Sequence, residues 1–178
     1  MSSTSANAQT EHQKYTLVQK FPGFEVRHYP PALLATVHTQ ANSYRELSSP
    51  GFRTLAGYIF GDNSEGKKIA MTAPVHMDIG QEGSSMSFVM PSEYSFEDLP
   101  EPANREITLQ ESSPEYVAAL TFGGYANDEK IKEETEKLMK YLRDNQIQSV
   151  GNFRFLGYNS PYRFWNRRNE IIVRINWE

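Results

Sequence analysis

The sequence predicts a single α+β domain, in which an antiparallel sheet or open barrel carries two helices. Short runs of alternating apolar residues, bounded by Gly and Pro, occur along most of the chain and are typical of strands. Two longer segments instead show the helical spacing of apolar residues. Each half of the chain also has the order strand, helix, strand, strand. A chain of 178 residues without Cys is long enough to bury a core that needs no disulfides.

Three strands begin the first half, separated by turn-forming Pro and Gly residues. The second of them alternates, which places His28 on one face with Phe24 and Val26. A histidine on an apolar strand face is usually a packing residue, although a neutral imidazole is also a suitable ligand for haem iron. The three strands are expected over residues 15–21, 24–29 and 32–40.

A helix follows, because Asn42-Ser43 can cap an N-terminus and apolar residues then recur at helical spacing. The apolar face contains Phe52, Leu55 and Ile59. Pro50 is expected either to end a first helical turn or to begin a second piece of helix.

The remaining elements follow the same rules. Pro74 limits how central the next strand can be, or indicates a bulge. The clearest helix of the chain has apolar residues at i, i+7 and i+11, with Lys and Glu on its other faces. These elements are strands over 67–79, 86–90, 105–111 and 115–122, a helix over 127–145, and strands over 153–158 and 170–177.

The two halves share a weak internal repeat. Ala41-Asn42-Ser43 and Ala126-Asn127-Asp128 each follow a strand and begin a helix, with 85 residues between Asn42 and Asn127. The next strands begin near Ile69 and Phe153, at almost the same spacing. The repeat predicts two similar units that pair into one sheet.

Composition excludes several classes of function. The net charge is −4 and no basic stripe is present, so we expect no nucleic-acid partner. No apolar run approaches the roughly 18–20 residues of a membrane span. Residues 1–14 are polar and lack the features of a secretion signal, so they are expected to be a disordered tail before a domain at 15–178. A cytoplasmic protein is the expectation.

No catalytic motif is recognisable, so we expect a binding protein and not an enzyme. The nucleophile elbow, the zinc-protease motif, the P-loop and the dinucleotide fingerprint are absent. Glu170 lies among apolar residues in the last strand. If it is buried in a pocket, it would suit a cationic ligand or act as a base. Pairing with Arg167 or Arg168 is the plainer explanation.

The loop at 162–168 interleaves three aromatic residues with three arginines. Arginine beside aromatic surface suits a flat, apolar ligand that carries carboxylates. The alternative is a loop that folds over the end of the barrel and pairs its arginines with acidic neighbours.

Five segments, in this order, resemble the SOUL haem-binding family. The resemblance extends from about Tyr15 to the C-terminus, and two of the segments are specific in combination, residues 68–75 and residues 167–170. The segments are EVRHY at 25–29, KIAMTAPV at 68–75, FGG at 122–124, YNSP at 158–161 and RRNE at 167–170.

The resemblance implies a fold and a function. The fold is a distorted antiparallel β-barrel of two strand–helix–strand–strand repeats with two helices packed on it, similar to gyrase-inhibitor-like effector-binding domains. The function is non-covalent binding of haem or another tetrapyrrole, as a carrier, buffer or sensor without catalysis. The alternatives are a small-molecule effector-binding module and a weak enzyme built on the pocket.

The resemblance also implies two different ways to hold haem. In one branch of the family a histidine at the position of His28 is the axial iron ligand. In another, an apolar groove lies between the first helix and the loop before the last strand. Arg53 and Arg163 are the candidates to pair with haem propionates. The groove would be lined by Phe52, Leu55 and the loop 162–165, which includes Phe164.

Overall fold

The alternating runs of the sequence form one large sheet in a computed structural model that describes residues 9–159 and 165–178. The described part contains two helices, α1 (Tyr44–Ile59) and α2 (Asp128–Asp144). Its strands are β1 (Glu11–His12), β2 (Thr16–Phe21), β3 (Phe24–Tyr29), β4 (Leu33–Thr39), β5 (Thr72–Ala73), β6 (Val75–Gly80), β7 (Gly83–Val89), β8 (Ile107–Glu111), β9 (Glu115–Phe122), β10 (Ser149–Gly157) and β11 (Asn169–Ile175).

Nine strands form the main sheet, in the order β2-β3-β9-β11-β10-β6-β7-β4-β8, and all its pairs are antiparallel. The predicted α+β class with two helices is therefore confirmed. Within the described residues the order has two ends, β2 and β8, so the sheet is open and is not a closed barrel. The short strands β1 and β5 form a separate parallel pair.

The predicted internal repeat is present as a pseudo-twofold arrangement of the sheet. Its centre is the pair of β6 and β10, where Met77 lies opposite Phe155. Outward from this pair, β11, β9 and β3 on one side correspond to β7, β4 and β8 on the other. Each half is therefore strand, strand, helix, strand, strand, with one strand more at its start than the predicted unit.

Both helices pack on one face of the sheet and bury most of the core. α1 lies over β4 and β7, and α2 lies over β9, β10 and β11. Leu47 and Leu55 of α1 and Leu138 of α2 are fully buried in this core. The other face carries a smaller cluster that Tyr15 and Tyr158 cover. The members of that cluster are Tyr29, Val117, Ala119, Leu156 and Ile172.

Two predicted boundaries in the first half are wrong. α1 continues through Pro50, because a proline φ is compatible with a helix and the burial of Leu47 and Leu55 stabilises both turns around it. The strand predicted over 67–79 begins only at Thr72 and is divided by a cis Ala73–Pro74 bond. The apolar residues alternate over 67–71, but this segment does not form a strand of the sheet.

A short strand, β1, lies before Tyr15, within the segment predicted to be a tail. β1 pairs with β5, and the backbone N–H of Gln13 donates to the carbonyl of Ala73 over 2.8 Å. The Gln13 side chain also lies 2.7 Å from Nε2 of His76. These polar residues are ordered because main-chain pairing does not require an apolar sequence.

Candidate functional site

A cleft of about 310 Å³ lies between α2 and the centre of the sheet, and we call it the α2 cleft. Its lining is mixed, with six apolar and five polar residues. Ile131 and Thr135 contribute the helical wall, one turn apart. The other lining residues are Met77, Ile79, Phe153, Phe155 and Ile171, with Asp128, Lys132, Asn152 and Arg154 among the polar groups.

The two helices pack differently on the sheet. On the α1 side, Leu47 is fully buried, and a Cβ on Gly51 would lie 3.1 Å from Cε of Met86. On the α2 side, Thr135 is partly buried and lines the cleft.

An irregularity in β10 shapes the same side of the cleft. The register of β10 with β11 shifts between Val150 and Arg154. Gly151 has a φ of 77° there, in the left-handed region that glycine adopts without strain. Residues 152 and 153 lie within this bulge, and both of them line the cleft.

Asp128 joins the first turns of the two helices at the rim. Its carboxylate accepts hydrogen bonds from the backbone N–H groups of Tyr44 at 2.7 Å and Arg45 at 3.2 Å. These donors are unsatisfied within α1 itself, so the contact caps α1 from outside. The Tyr44 ring then packs edge-on against Phe155 with 5.4 Å between ring centroids, and burial raises the pKa of its hydroxyl.

His28 lies at the end of β3, on the face predicted for it, and is half-buried. It is opposite Tyr116 of β9, with 4.8 Å between the ring centroids. Among the described residues, no hydrogen bond to its imidazole is formed, so a ring nitrogen is available to a ligand.

The groove residues predicted on α1 have three different environments. Leu55 is fully buried in the core and lines no groove. Phe52 is 36% exposed and packs against Phe88, while Arg53 is exposed. The other predicted groove residues, Arg163 and Phe164, lie outside the described residues.

The structure does not bring His28 and Phe52 together. His28 is on β3, whereas Phe52 packs against Phe88 of β7. Four strands of the sheet, β9, β11, β10 and β6, lie between those two strands. At about 4.8 Å for each strand spacing, β3 and β7 are well separated along the sheet.

Glu170 is fully buried on the face away from the helices, and its carboxylate is saturated with donors. Arg27 donates two hydrogen bonds to it, at 2.7 and 2.6 Å, and Arg168 donates one at 2.9 Å. The hydroxyls of Tyr158 and Thr121 donate at 2.8 and 3.0 Å. The predicted pairing with Arg168 is therefore present, but the principal partner is Arg27, which the sequence interpretation missed.

Charge controls the protonation state of this buried group. Burial raises the pKa of Glu170, but the hydrogen bonds and the positive charge of Arg27 and Arg168 outweigh it and lower that pKa to about 2. The pKa of Arg27 is raised, because the effect of Glu170 outweighs the cost of burying the guanidinium. Apolar neighbours in the last strand indicated Glu170, whereas Arg27 lies in a segment that carries the family resemblance but was not singled out.

Arginines of the loop before β11 pack on aromatic rings of the protein itself. The guanidinium of Arg167 lies 4.2 Å from the ring centroid of Tyr125, and that of Arg168 lies 4.1 Å from that of Tyr158. The combination of arginine and aromatic residues in this segment is thus explained in part by contacts within the chain.

Two kinds of site are not found in the part of the chain that the structure describes. No group of three or more His, Asp or Glu side chains is arranged to hold a metal ion. None of the helices in residues 9–159 and 165–178 has the length and apolar character needed to cross a membrane.

Solved structures with little sequence similarity share this fold. The EcmrR C-terminal domain matches with a TM-score of 0.63 at 10% identity, over 87% of this chain and 98% of that one. SAV2435 bound to tetraphenylphosphonium matches with a TM-score of 0.53 at 10% identity, over 86% and 93%. These matches show that the fold of two helices on an antiparallel sheet is shared with those structures.

Relatives with recognisable sequence similarity carry haem in their names. The chain is 31% identical over 160 residues to heme-binding protein 2 of Homo sapiens, which covers 84% of this chain and 77% of that protein. It is 25% identical over 155 residues to heme-binding protein 1 of Xenopus laevis, with 83% and 81% covered. Residues 10–174 match the family model described as SOUL heme-binding protein. The chain belongs to the SOUL heme-binding protein family.

Proposed function

We propose that this chain binds haem or another tetrapyrrole non-covalently in the α2 cleft and does not transform it. Family membership and the names of its relatives support the ligand. The observation that supports the site is the α2 cleft itself, in which apolar side chains from both halves of the sheet lie beside polar groups. Such a combination is typical of pockets for flat, largely apolar ligands.

The dimensions of the cleft suit partial enclosure of the ring. Ligand pockets usually span about 300–1,000 Å³, so a volume of about 310 Å³ is at the small end. One edge of a tetrapyrrole would contact Ile79, Phe153 and Phe155, while the opposite edge stays at the rim. Burial of apolar ring surface then supplies most of the binding free energy.

The α2 cleft and the His28 site implied by the family resemblance differ in the side chains that could ligate haem iron. The described lining of the α2 cleft contains no histidine, and Met77 is its one side chain with a sulfur atom. His28 lies outside the cleft with an available imidazole, and it remains our alternative as axial ligand. Phe52 and Arg53 remain a prediction for a groove whose other predicted residues lie outside the described part of the chain.

Absence of catalysis is part of the proposal. A general base needs a carboxylate with a free lone pair near a substrate. Glu170, the acid considered for that role, accepts five hydrogen bonds and has its pKa lowered to about 2. We further propose a cytoplasmic carrier or buffer without a nucleic-acid partner, which is compatible with a net charge of −4.

The alternative function is an effector-binding module for organic cations, which the fold likeness to SAV2435 favours. A cation in the α2 cleft would require an uncommitted carboxylate. Asp128 is engaged by the backbone of α1, and Glu170 is on the other face of the sheet. Lys132 at the rim would also repel a cation.

A hemin titration followed by Soret absorbance tests the function and its location together. Four proteins are compared: wild type, His28→Ala, Thr135→Phe and the control Met139→Phe. Thr135→Phe fills the cleft, whereas Met139 is exposed on the next turn of α2. We expect a saturable shift at one hemin per chain in wild type, His28→Ala and Met139→Phe, and its loss in Thr135→Phe.

Other outcomes are equally informative. If the Soret shift is lost in His28→Ala but kept in Thr135→Phe, haem binds at His28, and the α2 cleft is overturned as its site. Absence of a saturable shift in wild type would overturn haem binding itself. Circular dichroism spectra that match wild type would show that the differences in hemin binding do not result from misfolding of the variants.

A further inference from the structure

The guanidinium of Arg27 is enclosed by groups that suit a cation, and we call this enclosure the Arg27 cage. Two carboxylates bind it: Glu170 accepts from both terminal nitrogens, and Glu25 accepts from Nε at 2.7 Å. The hydroxyl of Tyr29 accepts a further hydrogen bond at 3.1 Å. The guanidinium also lies over the ring of Tyr15, with 4.2 Å from Cζ to the ring centroid. Every nitrogen of the guanidinium therefore has an acceptor, and its plane has an aromatic partner.

The charges of the Arg27 cage balance only while Arg27 is present. Its cations are Arg27 and Arg168, and its anions are Glu25 and Glu170. The side chains of Arg27 and Glu170 are 1% and 0% exposed, so solvent does not screen this pair. Without the Arg27 guanidinium the cage would carry one net negative charge, centred on a buried carboxylate. A buried charge that loses its partner is costly, so the empty cage would favour binding of a cation.

We propose that the Arg27 cage is a recognition site for guanidinium groups, which the chain fills with its own Arg27. The ligand class of the site is a small molecule with a guanidinium or amidinium group. Such a group is planar, binds a carboxylate through two nitrogens and stacks on an aromatic ring, whereas a primary ammonium is a point charge with one nitrogen. Arg27 is then the specificity-determining residue that excludes other organic cations from this site.

Glu170 thereby combines the two roles that its sequence context allows. A buried acid in a pocket suits a cationic ligand, and an acid that pairs with arginine is structural. In the Arg27 cage the bound cation belongs to the chain itself, so both descriptions apply. Tyr15 and Tyr29 are part of the smaller cluster on the face away from the helices. The site is therefore separate from the α2 cleft and does not depend on tetrapyrrole binding.

The test removes the side chain of Arg27 and supplies its outer atoms as a free molecule. Ethylguanidinium has the atoms that Arg27→Ala lacks, and ethylammonium is the control cation. Thermal unfolding is followed by circular dichroism with and without each cation, at an ionic strength held constant with KCl. If Kd is about 2 mM, ethylguanidinium at about 20 mM should raise the Tm of Arg27→Ala by about 3–6 °C. Ethylammonium should have little effect on that variant, and wild type should respond to neither cation.

Two further variants show whether the cage itself causes the effect. Arg154→Ala removes an arginine whose ion pair with Glu115 is about one-fifth exposed on both sides, so it opens no buried site and should not respond to ethylguanidinium. The double variant Arg27→Ala/Glu170→Gln keeps the space but removes the buried anion, so its Tm should not rise either. If Arg27→Ala is unfolded without ligand, the titration is repeated in trimethylamine N-oxide, which favours the compact state.

A rise in Tm that is confined to Arg27→Ala and that requires Glu170 supports the assignment. The assignment is overturned if ethylguanidinium neither raises the Tm of Arg27→Ala nor restores its folding. It is also overturned if Arg154→Ala or the double variant responds equally. An equal response to ethylammonium would overturn the selectivity for guanidinium, and a response of wild type would contradict Arg27 as the occupant.

Discussion

Glu170 illustrates, for a single residue, what a buried charge requires. Its carboxylate is fully buried, and two arginines and two hydroxyls supply its five hydrogen bonds. Arg27, its principal partner, is 143 residues away in sequence and is itself buried. Removal of one member leaves the other charge buried without compensation, which costs several kcal/mol.

We therefore predict that Glu170→Gln lowers the free energy of unfolding by about 3 kcal/mol, measured by urea denaturation at pH 7. The matched control is Glu115→Gln, whose ion pair with Arg154 is about one-fifth exposed on both sides. The free energy of unfolding of the control should fall by about 1 kcal/mol or less, because solvent screens the charges of that ion pair. Equal losses in the two variants would contradict a structural role for the buried pair.

The same residue predicts a pH dependence. The pKa of Glu170 falls from an ordinary value of 4.5 to about 2 in the folded state. Between those pH values the unfolded chain takes up a proton before the folded chain does, so stability declines as the pH falls, by at most about 1.4 kcal/mol per pH unit. The gap in stability between wild type and Glu170→Gln should consequently narrow from pH 4.5 to pH 2. A constant gap would be inconsistent with the lowered pKa.

At the scale of elements, the two helices are joined through one side chain. Asp128 is the first residue of α2, yet it caps the N-terminus of α1 in addition to the local cap from Ser43. The arrangement follows from the pseudo-twofold symmetry, which brings the two helix starts together above the central strands. Asp128 thereby sets the distance between the helices at the rim of the α2 cleft.

Replacement of this cap has a predictable cost. Asp128→Ala should lower the free energy of unfolding by about 1–2 kcal/mol, because two backbone N–H groups of α1 lose their acceptor. Asp144→Ala, at the opposite end of α2 in an exposed ion pair with Lys140, should cost less than about 0.5 kcal/mol. Chemical denaturation of both variants checks this. A similar small effect in both would show that Ser43 alone suffices to cap α1.

At the scale of the whole molecule, a symmetric fold has produced an asymmetric surface. The α1 half is packed tightly, with Gly51 against Met86, while a cleft lies beside α2. We therefore expect one ligand site in each chain.

We predict one protoporphyrin IX per chain, determined by calorimetric titration at protein concentrations well above Kd. Met86 is fully buried against Gly51 of α1, so we expect no second ring to bind there. Binding of two equivalent porphyrins would show that the two halves are functionally symmetric. A blocked cleft in Thr135→Phe should reduce the stoichiometry to zero.

The elements with a strong periodic pattern were predictable, while the candidate site was predictable only in part. The strands at 24–29 and 115–122 and the helix near 127–145 agree with the structure within a residue or two. The spacing over 127–145 predicts an apolar stripe, but a stripe alone does not distinguish a core position from a residue that lines a cleft. His28 and Phe52 were both candidates, and the order of strands shows that they belong to different places.

The sequence by itself determined the α+β class, the repeat, the exclusion of cysteine chemistry and, through its motifs, the family. These properties depend on composition and on periodicity over a few residues. The folded structure was needed to show that Arg27 meets Glu170, that α1 continues through Pro50, and that a cleft lies beside α2. The physical reason is that such outcomes depend on packing between segments far apart in sequence, where the volume of one side chain decides whether a cleft is filled or open.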